Sequence, residues 1–143
     1  LGFYNVDVVD ISINAINKTK IRVGKKSELV NWIESDILKF KSDKKYQLWH
    51  DRAVFHFLND EHKIKSYIKL AENNIEIGGI LIIGTFSVNG PNKCSGLEVR
   101  QYDQYSITKI FEEKFIPIDH EIVLHTTPFK TQQEFIFSTF KKK

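Results

Sequence analysis

Between Tyr46 and Leu58 an apolar run, Tyr46-Gln47-Leu48-Trp49, breaks off in the charged cluster His50-Asp51-Arg52. A second apolar run, Ala53-Val54-Phe55-His56-Phe57-Leu58, follows at once. Such a junction suits a buried strand whose carboxyl end reaches solvent. Open α/β sheets provide that, and their ligands bind outside the carboxyl ends of the strands.

The rest of the chain repeats the alternation of strand and helix. Val6-Asp7-Val8-Val9-Asp10 reads as a buried parallel strand. Ser12 caps a helix with Ile13, Ile16 and Ile21 toward the sheet, closed by Gly24, Lys25 and Lys26. Leu29 to Ile33 is a second strand, ending near Glu34-Ser35-Asp36, and residues 37 to 45 form a polar connection. Tyr46 to His50 is the third. Asn59 or Asp60 caps a helix carrying Ile64, Tyr67, Ile68 and Ala71 at helical spacing. Gly78-Gly79 precedes the fourth strand, Ile80 to Thr85, and turn formers fill Ser87 to Gly96. A helix starting at Asp103 or Ser106 turns Ile107, Ile110 and Phe111 inward. Glu121 to Leu124 and Glu134 to Phe140 close the chain as strands, with Phe135, Phe137 and Thr139 on one face of the last. The pattern predicts one α/β domain over 1–143, a mostly parallel sheet with a terminal antiparallel strand.

Composition narrows the function. At 143 residues, 41% hydrophobic and 27% charged, the chain can bury one real core. Its net charge of +3 is spread over small clusters, Lys25-Lys26, Lys44-Lys45 and Lys141-Lys142-Lys143, in loops or at a terminus. A nucleic-acid partner would call for a concentrated basic face, so none is expected. Cys94 is the only cysteine, which excludes an intramolecular disulfide, and the sequence shows no Cys/His cluster for structural zinc. A reducing, cytoplasmic setting is expected, and no metal. The longest apolar run, Ile80 to Ile83, is far too short to cross a membrane, and none is expected as a partner. Residue 1 is Leu and the sequence holds no Met, so a natural start upstream is expected.

Asp10, Asp36 and Asp51 stand at or just past the ends of three successive strands. In a parallel sheet those ends share one edge, where like charges repel unless something polar or cationic lies among them. A strand-end acid can accept hydrogen bonds from both ribose hydroxyls of a nucleotide. It can equally cap the helix that follows.

Four segments together resemble a known family. They are Val8-Val9-Asp10-Ile11-Ser12, Trp32-Ile33-Glu34-Ser35-Asp36-Ile37, Leu48-Trp49-His50-Asp51-Arg52-Ala53-Val54-Phe55-His56-Phe57-Leu58 and Gly79-Ile80-Leu81-Ile82-Ile83-Gly84-Thr85-Phe86-Ser87. With Gly90-Pro91-Asn92-Lys93-Cys94-Ser95-Gly96-Leu97, the chain resembles class I S-adenosylmethionine-dependent methyltransferases of the small bacterial type with a Trp-His-Asp-Arg-Ala segment. The resemblance implies a Rossmann-like fold and a methyl transfer from S-adenosylmethionine to a small-molecule or protein acceptor. It implies cofactor binding by Asp10 (ribose), Ile11 and Ile37 (adenine faces) and Asp36 (adenine amino group). Asp51 and Arg52 would lie beside the methionine part. Asp51 and His125 are the candidate catalytic residues, His125 as a base in the turn His125-Thr126-Thr127-Pro128-Phe129.

The chain departs from the family in one respect. No GxGxxG-like pattern is present, and Gly2 stands alone. The resemblance places a missing first strand between Val6–Asp10 and Tyr46–His50. The fragment is therefore expected to be inactive alone and to self-associate. Two other readings stay open: a nucleotide-binding or regulatory module without turnover, and a hydride-transfer enzyme. His56 reads as a histidine packed under the sheet and Cys94 as a plain loop or core residue. Phe55 and Phe86 are expected to line a pocket.

Overall fold

The computed structural model describes residues 5–127 and 129–143, so Gly2 and Pro128 lie outside them. It divides into two compact units, Leu1–Ser42 and Asp43–Lys143.

In the first unit β1 (Val6–Asp10) and β2 (Val30–Glu34) pair in parallel, from Val6↔Val30 to Asp10↔Glu34. The crossover is α1 (Ile13–Val23), whose N-cap Ser12 accepts the Ala15 N–H at 3.2 Å. Gly24 ends it at φ 65°, a conformation that costs glycine little, and its N–H donates to the Lys20 carbonyl. Ile16 is buried, but Ile21 is 82% exposed, against expectation. Five residues turn a helix by about 140° beyond a full revolution, which carries Ile21 off the face that Ile16 buries. A 3₁₀ segment, Gly24–Leu29, leads into β2. A second, Ile37–Lys39, interrupts the expected polar connection, capped by Asp36.

In the second unit β3 (Tyr46–Arg52) pairs in parallel with β4 (Ile75–Phe86). A hairpin of β5 (Lys93–Cys94) and β6 (Leu97–Glu98) folds within the following loop. The long strands β7 (Phe115–Thr126) and β8 (Gln132–Lys142) complete a sheet ordered β3-β4-β8-β7. Strand β8 runs antiparallel to both its neighbours, so β7 is parallel to β4. The expected directions of these strands hold.

Both helices of this unit lie on one side of its sheet. On α2 (Glu61–Asn74), Asp60 accepts the His62 and Lys63 N–H groups, and Ile64, Tyr67 and Ala71 face inward. On α3 (Gln104–Phe111), Asp103 and Ser106 form a reciprocal capping box. The core beneath them is largely aromatic. The ring of Phe55 meets Tyr67 at 5.0 Å and Phe111 at 5.2 Å, and Phe111 meets Phe140 at 5.2 Å. Each such buried ring contributes on the order of 2–3 kcal/mol. The face of β8 carrying Phe135, Phe137 and Thr139 is real, yet Ile136, Ser138 and Phe140 opposite it are buried too. Both faces of β8 are at least partly covered, so alternation there does not sort apolar from polar.

Candidate functional site

The expected site residues fall in both units. In the first unit Asp10 and Asp36 stand at the carboxyl end of the paired strands, where the Ser35 N–H donates to the Asp10 carbonyl at 3.0 Å. Asp10 Oδ1 accepts the Ser12 N–H at 2.8 Å, which fixes the carboxylate at the turn into α1. Beside it Ile11 is 72% exposed. An acid held at a strand end with an apolar side chain next to it suits a ribose hydroxyl pair and the flat ring attached to it. Asp36 Oδ1 accepts the Leu38 N–H at 3.0 Å, and Ile37 opens the short 3₁₀ turn.

In the second unit the strand period separates neighbouring candidates. Successive side chains of β3 point to opposite faces. Asp51 lies on the helix side and is buried. Its Oδ2 accepts the Tyr67 hydroxyl at 2.6 Å, and its Oδ1 accepts the N–H groups of Val54 and Phe55 at 3.1 and 3.2 Å. Desolvation pushes its pKa up, opposed by the bond from Tyr67 and by the two backbone donors. Tyr67 in turn accepts the Trp49 indole N–H at 3.1 Å.

Arg52 lies on the other face. Its guanidinium carbon sits 5.5 Å from the centre of the Phe135 ring. His125, near the end of β7, meets the same ring edge-on at 6.3 Å. Phe135 stacks beside Phe137 at 6.0 Å, and His50 stacks on Phe137 at 6.4 Å. Gly84 makes room for this row, since a Cβ there would lie 2.6 Å from the Phe137 ring. Of the residues expected in this unit, Arg52 and His125 are thus brought together on Phe135, and Asp51 is turned to the opposite side.

Other expectations resolve by packing. Phe55 and Phe86, expected to line a pocket, are fully buried. One belongs to the helix-side ring cluster, and the other packs against Phe135 at 4.7 Å. His56 is buried as read. Its Nδ1 accepts the Phe86 N–H at 3.4 Å, and burial lowers its pKa to about 4, so the ring is neutral near pH 7. Cys94 is partly buried against the cluster of Phe86, Val99 and Phe135. The sequence reading missed Tyr67 as more than a core residue. Its helical spacing showed that it faces inward, but nothing local showed that its hydroxyl meets Asp51. Among the described residues there is no group of three or more His, Cys, Asp or Glu that could hold a metal ion. Nor is any helix there long and apolar enough to cross a membrane.

Comparison with known proteins supplies the family. The family model for nodulation protein S, NodS, matches residues 3–89. Malonyl-[acyl-carrier protein] O-methyltransferase 2 of Ilyobacter polytropus is 30% identical over 82 residues. That match covers 57% of this chain and 30% of the relative, so it spans under a third of that protein's length. Among solved structures, the N-methyltransferase NodS from Bradyrhizobium japonicum WM9 superposes with a TM-score of 0.77 at 18% identity, over 96% of this chain and 73% of that one. The 1,6-didemethyltoxoflavin-N1-methyltransferase of Burkholderia thailandensis gives 0.74 at 16% identity, over 97% and 61%. With the family model covering more than half of its length, the chain belongs to the NodS family and has the Rossmann-like fold of S-adenosylmethionine-dependent methyltransferases.

Proposed function

We propose that this chain is part of an enzyme that moves a methyl group from S-adenosylmethionine to a small-molecule or protein-borne acceptor. The observation that carries the proposal is Asp10, fixed beside exposed Ile11 at the carboxyl end of β1, in a chain of the NodS family. Structures of two similar proteins, NodS and the Burkholderia enzyme, are described as complexes with S-adenosylhomocysteine. The cofactor when bound supplies an activated methyl on a sulfonium, so the enzyme needs no nucleophile of its own. The chain's residues have other tasks. Asp10 accepts from the ribose hydroxyls, and Ile11 and Ile37 cover the base. Asp36 accepts from its amino group. Arg52 and His125 act on the ligand side of the second unit, where His125 takes the acceptor's proton. Asp51, buried on the far side, holds the turn after β3.

The relatives differ in the atom or molecule methylated: NodS is an N-methyltransferase, the Burkholderia enzyme a 1,6-didemethyltoxoflavin N1-methyltransferase and the Ilyobacter protein a malonyl-[acyl-carrier protein] O-methyltransferase. A cytoplasmic setting fits the single thiol, Cys94. A second reading, nucleotide binding without turnover by residues 1–143, is favoured by the lack of any Gly-rich turn in the sequence. Self-association belongs with that reading, because β3 is an outer strand of its sheet and exposed edges pair readily. Sedimentation separates dimer from monomer.

Calorimetry with S-adenosylhomocysteine tests the main proposal. Asp10→Ala should weaken binding by roughly 1.5–3 kcal/mol, the scale of hydrogen bonds to a charged group. Asp36→Ala should cost less, because an exposed ring edge can be rehydrated. Unchanged affinity in Asp10→Ala would reduce that carboxylate to its bond with Ser12.

A further inference from the structure

We propose that Tyr67, on the helix side of the sheet, is a positioning residue for Arg52 on the opposite side, and that it acts through Asp51 and the strained turn at Ala53. The inference rests on the reading of Arg52 as a ligand-side residue.

Ala53 has φ 61°, in the left-handed region, although it carries a Cβ. Glycine would enter that region freely, so a turn built on Ala is held there from outside. Two sets of bonds do the holding. The Ala53 N–H donates to the Gly84 carbonyl at 2.8 Å and keeps β3 laddered to β4 as far as the turn. Beyond it, the Val54 and Phe55 N–H groups converge on Asp51 Oδ1. That carboxylate is itself fixed by Tyr67, whose hydroxyl donates to Oδ2 at 2.6 Å while accepting from Trp49. Tyr67 is fully buried and packed against Phe55, so its hydroxyl has little freedom to look elsewhere.

The clamp therefore spans residues 51–55, and Arg52 is inside it. Because neighbours on a strand face opposite ways, fixing Asp51 downward fixes Arg52 upward, over the Phe135 ring that His125 also meets. A helix residue that never reaches the ligand side sets the direction of the guanidinium that does.

NMR of the full chain tests this without any ligand. The Phe135 ring should shift the Arg52 Cδ and Nε protons upfield, the assignment being confirmed by their loss in Arg52→Gln. Tyr67→Phe removes one hydroxyl and should cut that shift by about half or more. Adding Ala53→Gly, which lets the turn form without the clamp, should restore it. Should Tyr67→Phe not fold, Asp51→Asn carries the same comparison. It keeps an acceptor for Val54 and Phe55 and removes the one that Tyr67 uses. A shift that survives loss of the clamp, or that glycine does not restore, overturns the proposal. In calorimetry with S-adenosylhomocysteine, Tyr67→Phe should weaken binding about three- to tenfold, on the scale of one hydrogen bond, and Arg52→Gln should add little to that loss. If Asp10→Ala weakens binding and Tyr67→Phe does not, the positioning role fails and the cofactor reading stands. If the unsubstituted chain binds no S-adenosylhomocysteine, the cofactor reading fails and the NMR shifts alone decide.

Discussion

His56 makes the fold sensitive to acid. Burial holds its folded pKa near 4, below its ordinary 6.5, so the unfolded chain takes up the proton first. Its contribution is complete above pH 6.5 and is lost as the pH falls through 4. With about 1.4 kcal/mol per unit, the loss reaches on the order of 3 kcal/mol. Asp51 works the other way. Its folded pKa is raised, so its contribution is largest below the ordinary carboxylate value and declines as the pH rises. His56→Gln should therefore flatten the fall in urea stability between pH 7 and pH 5. An unchanged slope would mean that another group carries the acid sensitivity. At this scale the sequence was legible where a residue acts on its own backbone. The caps at Ser12, Asp60 and Asp103 follow from side-chain reach alone. It was illegible where the partner is remote: the bond from Tyr67 to Asp51 bridges sixteen positions, and Phe55 packs against the distant rings of Tyr67, Tyr102 and Phe111.

Among the elements, the loop from Ser87 to Tyr102 is the one most tightly specified by a single glycine. A Cβ at Gly90 would lie 2.4 Å from the Glu134 carbonyl oxygen, a backbone atom that cannot swing aside. Ser87 and Asn89 both donate to the Glu134 carboxylate, so the loop is seated on β8 just ahead of that glycine. Gly90→Ala should cost about 1–3 kcal/mol in urea denaturation, as overpacking does. Gly84→Ala should cost less stability, since the Phe137 ring can move, but should break its stack with His50. Strand identity was readable and strand length was not. Gly78-Gly79 looks like the end of a connection, yet both lie inside β4, Gly78 at φ 78°, where β3 shifts register between Tyr46 and Leu48. Pro117 sits in β7 beside another register shift, where a residue without an N–H is tolerated. Such irregularities absorb residues that a periodic reading treats as punctuation.

Over the whole molecule, buried apolar residues are unevenly shared. Among the described residues up to Ser42, Ile16 and Phe40 alone are deeply buried hydrophobics, and the large ring clusters belong to Asp43–Lys143. Hydrogen exchange should find the amides of β1 and β2 opening at lower free energy than those of β4 and β8. Equal protection in both units would contradict this. The candidate site was legible as a set of strand ends, because acids at those positions stand out against β-branched runs. Which face each residue takes was not, since Asp51 and Arg52 differ by one position and a one-residue step reverses the side. The position of β8 has a consequence for synthesis. It is the final strand of this sequence and yet an inner one, seated between β4 and β7. Chains emerge from the ribosome in order, so β4 and β7 wait, each with an unsatisfied flank, until residues 132–142 have cleared the exit tunnel. A nascent chain paused before that point would expose the flank of Ile80–Phe86 to any chaperone, or any other strand, within reach.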